Sequence, residues 1–578
     1  MADETQSEQH KKVSPIRKLA SHASAKHLRP KELVTPPKPI EAGPTPPAQK
    51  QGFWRRLFGK KKVSIPLGII VLLAVIAAVP ATRYPVLGLF MKKNYAVTIL
   101  DSDTQKPVSG ATVTLDGHTV TTNNEGVARL DVKVGHGTLA ISKTYYKDTS
   151  EGVFVGLKAQ EEPALLHLVA TGRQVPITIL NTITGKPVAN ATIASKGAED
   201  KTDAKGQVTM VLPADASAAS AVLSGSGYNN ANVTITITAN TVPANTFKIT
   251  PSGSVYFLSD ASGTVDVVKT NLDGTNRQTV AAGTGNEDPN NTQLMESSDG
   301  KYLALDSIRS SSGNTELNLI EVTNNDKMVN IDSGSNATFT AIGWAGDTFV
   351  YQVNRLNVQM WQAGEYSLKS YDAATGTITT LDSSDGIGVA NDPIGDKFDA
   401  YAIVGNQLLY AKTWYYNDFY TSLGNQQNTL NVINVDGSDK KTLGSYASTN
   451  ERVANILLTT PNQALISIYA AANQSNIYYT YNSDGTYAQN NNPGTSQSLQ
   501  YFISPSGNQT FWSAYRDGQN VLLVGDQNGQ DGKEVTTPSG YFAYGWATNN
   551  YLLVGKSSAL YIVSVNGGTP LKVTDFLY

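Results

Sequence analysis

The chain has 578 residues, of which 40% are hydrophobic, 16% are charged and none is cysteine. This length exceeds what one hydrophobic core normally organises, so several domains are expected, and the lack of cysteine excludes disulfides, thiolate metal sites and cysteine nucleophiles. The formal net charge of -3 is asymmetric, because residues 1–62 contain 14 Lys/Arg against 5 Asp/Glu and the remainder 31 against 43. Since phosphate binding needs clustered positive charge, this balance argues against a nucleic-acid groove in the main part of the protein.

Residues 1–62 are predicted to form a disordered basic tail. Their many prolines and few large apolar side chains leave little to offset the entropy of the chain. An uncharged run at 63–81 then follows a basic segment and is long enough to cross a hydrocarbon core of ~30 Å. Residues 63–90 are therefore predicted to be a single transmembrane helix that makes the membrane a partner, and a cleaved signal peptide is the alternative.

The charges around this segment predict its orientation. Basic residues are concentrated before the apolar run, and three basic residues follow it at Arg83, Lys92 and Lys93. The positive-inside rule then places the N-terminus in the cytoplasm and the later domains outside the cell. The expected location is a cell membrane, and the composition favours a bacterial one.

Residues 95–170 and 173–250 are predicted to be two copies of one β module. The copies align at an offset of eighty residues, where alternating β-branched residues and turn residues both match. The matching segments are Val97–Leu100 with Ile177–Leu180, Lys106–Val108 with Lys186–Val188, Ala111–Val113 with Ala191–Ile193, and Gly126 with Gly206.

This layout resembles the carboxypeptidase regulatory-like, transthyretin-like sandwich domains. Gly110-Ala-Thr-Val113 fits the family pattern, whereas the second copy has Asn190 in place of that glycine and the first has Tyr145-Tyr146 in place of a late Gly-Tyr. The resemblance implies two small β-sandwiches that act as a stalk without chemistry of their own.

Residues 251–578 are predicted to be a β-propeller. About seven units of roughly 40 to 50 residues can be distinguished, the period of four-stranded blades. Recurrent Asp-Gly and Asn-Gly pairs supply the positive φ angles of tight hairpins, as at Asp273-Gly274, Asp436-Gly437, Asp484-Gly485 and Asp517-Gly518. Together with Ile503-Ser-Pro-Ser-Gly507, these turns resemble the TolB-type, WD40-like propeller repeats.

The sequence contains little that indicates catalysis. None of the six histidines lies in the predicted propeller, which disfavours an imidazole base, a Ser-His-Asp triad or a histidine metal site there. The histidines are His10, His22, His27, His118, His136 and His167. No nucleophile elbow and no phosphate loop are present, so no cofactor, no metal and no enzymatic activity are predicted.

Two long insertions provide the candidate binding site. They interrupt the same hairpin position in neighbouring units, at 352–364 and 412–427, and equivalent blades would place them side by side on one face. Exposed aromatic rings beside amides are typical of protein interfaces and of sugar binding. The alternative is that these rings pack the insertions onto the propeller or extend its strands. The candidate binding residues are Trp361, Trp414, Tyr415, Tyr416, Phe419 and Tyr420.

The sequence as a whole predicts a mainly β protein that binds a protein or glycan ligand through a propeller carried on a β-sandwich stalk at a membrane. Two other functions stay open. One is a scaffold in an envelope complex similar to TolB, and the other is a glycan-active enzyme that uses paired carboxylates about 5 to 10 Å apart.

Overall fold

The computed structural model describes residues 69–72, 74–75, 78–237, 245–389, 392–416, 426–447, 451–493 and 501–575. Forty-two strands dominate these residues, which confirms the prediction of a mainly β protein. The tail at 1–62 lies outside the described residues.

The predicted transmembrane helix is not found. Residues 69–72, 74, 75 and 78 are helical, and helix α1 spans Pro80–Leu87 with Pro85 inside it. Among the residues that the structure describes, no helix is both long enough and apolar enough to cross a membrane. Residues 63–68, 73, 76 and 77 of the expected span lie outside the described residues. This finding, made on the described residues, contradicts the predicted location at a cell membrane.

The first β module consists of a three-stranded sheet and a four-stranded sheet that enclose one core. The three-stranded sheet has the order β4-β1-β7 and the four-stranded sheet β3-β2-β5-β6. Val97, Ile99, Val113, Leu139 and Leu168 belong to the core between them. The strands are β1 (Lys92–Asp101), β2 (Thr112–Leu115), β3 (His118–Thr121), β4 (Val127–Lys133), β5 (Gly135–Ser142), β6 (Thr149–Val155) and β7 (Ala164–Leu168).

The second β module repeats this topology, with sheets β11-β8-β14 and β10-β9-β12-β13. In both modules the first strand pairs in parallel with the last. A buried threonine also recurs: Thr122 and Thr202 each donate to the carbonyl of a valine, at 2.7 and 2.6 Å, and accept from an alanine N–H at 2.9 Å. The strands are β8 (Arg173–Asn181), β9 (Thr192–Ser195), β10 (Ala198–Lys201), β11 (Gln207–Leu212), β12 (Ala218–Ser224), β13 (Ala231–Thr236) and β14 (Asn245–Ile249).

Seven antiparallel sheets follow in chain order within the described part of residues 254–575, and each is built from consecutive strands. Sheets 1 to 3 comprise β15 (Ser254–Ser259), β16 (Asp266–Asn271), β17 (Gln278–Ala281); β18 (Gln293–Glu296), β19 (Tyr302–Ile308), β20 (Thr315–Glu321), β21 (Lys327–Ser333); and β22 (Ala337–Ala345), β23 (Thr348–Arg355), β24 (Tyr366–Asp372), β25 (Thr377–Ser383). A short 3-10 turn at Val322–Asn324 lies in sheet 2.

Sheet 4 has five strands, sheets 5 to 7 have four each, and the order in each sheet follows the chain. Sheet 4 comprises β26 (Ile387–Val389), β27 (Asp392–Val404), β28 (Gln407–Tyr416), β29 (Gln427–Asn434) and β30 (Lys441–Ala447). Sheets 5 to 7 comprise β31 (Glu451–Thr460), β32 (Gln463–Ala470), β33 (Ser475–Asn482), β34 (Tyr487–Gln489); β35 (Phe502–Ile503), β36 (Gln509–Arg516), β37 (Gln519–Asp526), β38 (Lys533–Glu534); and β39 (Phe542–Thr548), β40 (Tyr551–Lys556), β41 (Ala559–Ser564), β42 (Leu571–Asp575).

Apolar clusters join five of the six pairs of sheets that are neighbours in the chain, and another joins the first sheet to the last. Separate clusters join sheets 1 and 2, 2 and 3, 3 and 4, 4 and 5, and 6 and 7. Sheets 5 and 6 meet where Tyr501 donates to the Thr459 carbonyl and Asn462 donates to Asn528 at 3.0 Å. A further cluster brings Val255 and Phe257 of sheet 1 against Leu560 and Ile562 of sheet 7. Sheets that pack in sequence and return to the first form a ring, which is the architecture of a β-propeller.

Polar contacts reinforce two of these interfaces at equivalent positions. Asp332 of sheet 2 accepts from Tyr351 at 3.0 Å and from Lys369 at 2.6 Å, both in sheet 3. Asp382 of sheet 3 likewise accepts from Tyr410 of sheet 4 at 2.6 Å. Each aspartate lies where the outer strand shifts register, so a carboxylate that would otherwise be poorly solvated is paired across the interface.

Candidate functional site

The six predicted aromatic residues lie in two neighbouring sheets. Trp361 is in the loop between β23 and β24, whereas Trp414 and Tyr415 are in strand β28, which ends at Tyr416. Phe419 and Tyr420 lie outside the described residues. Trp361, Trp414 and Tyr415 are each half-buried rather than fully exposed. Trp414 to Tyr416 therefore extend a strand, which was the alternative to an open aromatic surface.

The structure brings the two insertions close to each other at Gly395. Tyr415 pairs with Gly395 of β27, and a Cβ added to Gly395 would lie 2.8 Å from Cζ of Tyr415 and 2.9 Å from the Met360 carbonyl oxygen. Tyr415 also donates a hydrogen bond of 2.8 Å to Glu365, the residue before β24. Because Gly395 has no side chain, the tyrosine ring and the loop of sheet 3 approach closely at this point.

An ion cluster that is partly buried lies at Lys412, two residues before Trp414 in strand β28. Lys412 contacts Asp385 at 2.6 Å and Asp396 at 3.2 Å, and the side chain of Asp396 has no solvent exposure. Asp396 also accepts from the backbone N–H groups of Asp385 and Gly386 at 2.8 and 2.7 Å. Burial lowers the pKa of Lys412, but the hydrogen bond with Asp385 and the nearby carboxylates outweigh it, and the pKa is raised overall. The cluster is thus a charged pairing that fixes the base of the hairpin.

The carboxyl groups of Glu365 and Asp396 differ from the catalytic pair of a glycosidase. Burial raises the pKa of Glu365, the Tyr415 hydrogen bond opposes the rise, and the charge of Asp396 adds to it. A glycosidase needs two carboxyl groups that both reach the substrate. Asp396 is fully buried and already bonded, so this pair does not meet that requirement.

A second aromatic group, which the sequence reasoning missed, lies on sheets 6 and 7. Tyr515 is 59% exposed, Phe542 51% and Tyr544 47%. Tyr515 is near the end of β36, and the nearby Ser513 accepts a hydrogen bond of 2.6 Å from the N–H of Ala543, between the other two. We call Tyr515, Phe542 and Tyr544 the aromatic trio.

A cleft of about 280 Å³ is lined in part by strand β37, which pairs with the strand of Tyr515. Its wall is mainly polar, and Tyr541 in it directly precedes Phe542 in the chain. The Tyr541 ring packs edge-on against Tyr561 at 5.2 Å, and Lys556 lies 4.7 Å from its centroid. Lining residues include Gln519, Asn520, Glu534, Thr537, Ser539 and Tyr541. The trio and the cleft together offer apolar rings beside amides and hydroxyls.

The aromatic trio and the two insertions belong to the same side of the ring. The insertions join the second and third strands of the main four-stranded part of sheets 3 and 4, and Tyr515 precedes the corresponding hairpin of sheet 6. In a ring of equivalent meanders, these hairpins share one face with the starts of the first strands, where Phe542 lies.

The sequence signal available for the trio was the alternation Phe542-Ala-Tyr544-Gly545, in which large exposed rings alternate with small residues.

In the described ranges, no group of three His, Asp or Glu side chains is arranged to bind a metal ion.

The solved structures that resemble this chain include β-propeller proteins of low sequence identity. No protein-family model and no curated protein matches it. Among solved structures, the β-propeller domain of the trilobed protease from Pyrococcus furiosus is 9% identical, with a TM-score of 0.33, covering 62% of this chain and 95% of that one. TolB from Acinetobacter baumannii is 11% identical, with a TM-score of 0.25, covering 54% and 74%. A prolyl endopeptidase is 16% identical, with a TM-score of 0.34, covering 55% of this chain and 46% of its own length. The seven packed sheets themselves define the propeller.

Proposed function

We propose that this chain is a recognition protein without catalytic activity, in which a seven-bladed propeller binds a protein or glycan ligand on the face of the aromatic trio. The carrying observation is the exposure of three large aromatic side chains on two neighbouring sheets, at 59%, 51% and 47%. Exposed apolar groups of this kind mark interaction surfaces, and aromatic residues are enriched where proteins bind one another.

The predicted insertion aromatics form the second part of this proposed binding face. They comprise Trp361, Trp414, Tyr415, Tyr416, Phe419 and Tyr420. The fixed hairpin base at Lys412 supports this assignment, because a rigid support reduces the entropy lost when a ligand binds.

Charge narrows the class of ligand. Residues 251–578 contain 16 Lys/Arg and 30 Asp/Glu, so a neutral or cationic ligand is favoured over an anionic one such as a nucleic acid. The two β modules act as a rigid arm for the propeller, as the resemblance to carboxypeptidase regulatory-like domains implies. Contacts between them, such as the Lys143–Asp200 pair and a 2.8 Å bond from Gln174 to Asp101, support that role.

The test is binding by the full chain to a glycan array and to an array of purified proteins. A variant that combines Tyr515→Ala, Phe542→Ala and Tyr544→Ala should lose at least about tenfold in affinity for any ligand found. The matched control combines Met328→Ala and Ile378→Ala, since these residues are 41% and 43% exposed on outer strands of sheets 2 and 3. It should bind as the unmodified protein does.

A separate variant with Trp361→Ala and Trp414→Ala tests the insertion aromatics. Loss of binding with an unchanged melting temperature would support their place on the binding face. A ligand that binds the trio variant and the Trp361→Ala, Trp414→Ala variant as tightly as it binds the unmodified protein would contradict the proposal.

A further inference from the structure

The propeller ring has a seam between sheets 1 and 7 that no strand crosses in the part of the chain that the structure describes. Sheet 1 contains only β15 to β17 and sheet 7 only β39 to β42, so in the described residues neither sheet borrows a strand from the other end of the chain. Closure by hydrogen-bonded strands is therefore replaced by side-chain packing, in the cluster that includes Phe257, Leu272, Leu560 and Val573. Across this seam, Arg277 of the loop after β16 also lies within 3.3 Å of the Thr574 hydroxyl and can donate to it.

The second β module contacts both sides of this seam. The Asn181 amide donates a hydrogen bond of 2.7 Å to the hydroxyl of Tyr551 in sheet 7. Thr250, just after the last strand of the module, donates to Asp273 in the turn of sheet 1. Ile183 packs against the apolar cluster that sheets 1 and 7 share. One turn of the module and its outgoing chain thus bond to both sheets that must stay together.

The connection between this module and the propeller is short and tied down. Only residues 250–253 separate β14 from β15. Within them, Pro251 is buried and bridges to Tyr228, the Thr250 carbonyl accepts from Asn229 at 2.9 Å, and Ser252 donates to the Gly227 carbonyl at 2.9 Å. A linker with this many backbone contacts holds the module against the seam rather than letting it swing.

The first module uses the same position to hold its neighbour. Asp101 aligns with Asn181 at the offset of eighty residues, and both side chains accept from the backbone N–H groups of the following turn. Asp101 also accepts from Gln174 of the second module at 2.8 Å, whereas Asn181 donates to Tyr551 of the propeller. The duplicated turn is therefore a repeated docking position, and in the second copy its target is the ring seam.

We propose that the second β module is the clasp of the propeller, and that its Asn181, Ile183 and Thr250 contacts hold sheets 1 and 7 together where other rings use a shared strand. Detaching the clasp opens the ring at that seam before any other interface loosens. The proposal concerns the integrity of the ring and does not depend on which ligand the propeller binds.

Hydrogen exchange of the full chain, read by mass spectrometry, tests this. Tyr551→Phe removes only the hydroxyl that accepts from Asn181, and Ile183→Ala removes most of the apolar contact. The double variant should exchange about tenfold faster in 254–271 and 551–564, with no change in 348–372 of sheet 3, because the seam then opens locally. Tyr551→Phe alone should show a smaller change in the same two segments, which keeps the test usable if the double variant folds poorly.

The matched control is Tyr481→Phe. Tyr481 donates a hydrogen bond of 2.7 Å to Gln407 at the interface of sheets 5 and 4, where the second module makes no contact in the structure as described. This variant should leave exchange in 254–271 and 551–564 unchanged. Unchanged exchange at the seam in the double variant, or equal acceleration in all sheets, would overturn the proposal.

Discussion

Asp306 offers the sharpest test of the propeller's energetics. It lies in β19 of sheet 2, is 6% exposed, and no described residue donates a hydrogen bond to its Oδ1. Burial raises the pKa of its carboxyl to about 7, with no opposite charge to counter the effect. The perturbation is Asp306→Asn, which keeps the shape and removes the charge.

The magnitude follows from linkage between protonation and folding. The pKa rises from 3.8 to about 7 on folding, and about 3 pH units correspond to at most about 4 kcal/mol at 1.36 kcal/mol per unit. The unfolded chain loses this proton near pH 4 and the folded chain near pH 7. The folded protein is therefore not destabilised by Asp306 below about pH 4, where the carboxyl is protonated in both states. Stability is lost as the pH rises from about 4 to about 7. Above pH 7, Asp306→Asn should be more stable than the unmodified protein by up to this amount, less about 1 kcal/mol for a buried amide with few partners.

The assay is urea unfolding at pH 4.5, 6 and 8, followed by tryptophan fluorescence. Five of the six tryptophans lie at or beyond residue 344, so the signal reports on the propeller. The unmodified protein should lose stability relative to Asp306→Asn as the pH increases, and the two midpoints should converge at the lowest pH.

Asp332→Asn is the control, because Asp332 is paired with Tyr351 and Lys369. It should lower the midpoint at pH 8, the opposite sign to Asp306→Asn. A lower midpoint for Asp306→Asn at pH 8, or a difference that does not vary with pH, would refute the reasoning.

Three further substitutions test individual contacts. Thr202→Val should destabilise the second module by about 1–3 kcal/mol, since it leaves a buried carbonyl and N–H without their partner, and calorimetry should show a lower melting temperature for that module. Tyr410→Phe should lower the free energy of unfolding of the propeller by about 1–2 kcal/mol, measured by urea unfolding. Asp382 then loses the Tyr410 hydroxyl as a partner from sheet 4 and retains Lys440, at 2.8 Å. Gly206→Ala should destabilise the second module by more than about 1 kcal/mol in the same calorimetric scan, because φ is +69° and the new Cβ would lie 2.6 Å from the Ile179 carbonyl oxygen. A fully retained melting temperature in either module variant would contradict the contact it tests.

The β architecture was accessible from sequence because local chemistry determines it. Gly274, Gly437 and Gly485 follow aspartates and adopt φ angles of +78°, +89° and +88°, as tight hairpins require. The repeated segments around Lys106 and Lys186 likewise mark one topology used twice.

The binding face was less accessible, because side-chain exposure depends on neighbouring sheets. Tyr410 and Tyr515 both lie on inner strands of their sheets, yet Tyr410 is fully buried and Tyr515 is 59% exposed. Strand periodicity is the same in both cases, and what differs is whether another sheet covers the ring. At residues 63–90, apolar composition predicted a membrane-spanning helix that is not found among the described residues.

The contiguous build of the seven sheets bears on how the ring forms. Within each sheet, every pairing joins strands that are adjacent in the chain, so each sheet can form through contacts of short sequence separation. Closure is different, because it brings Val255 against Ile562 from opposite ends of the propeller. We therefore expect closure to be the last and slowest step of folding, and pulse-labelled exchange during refolding should protect the seam after the other interfaces. Until sheet 7 is in place, the Asn181 amide lacks its partner Tyr551, so the second module completes its contacts with the propeller only after the last sheet has folded.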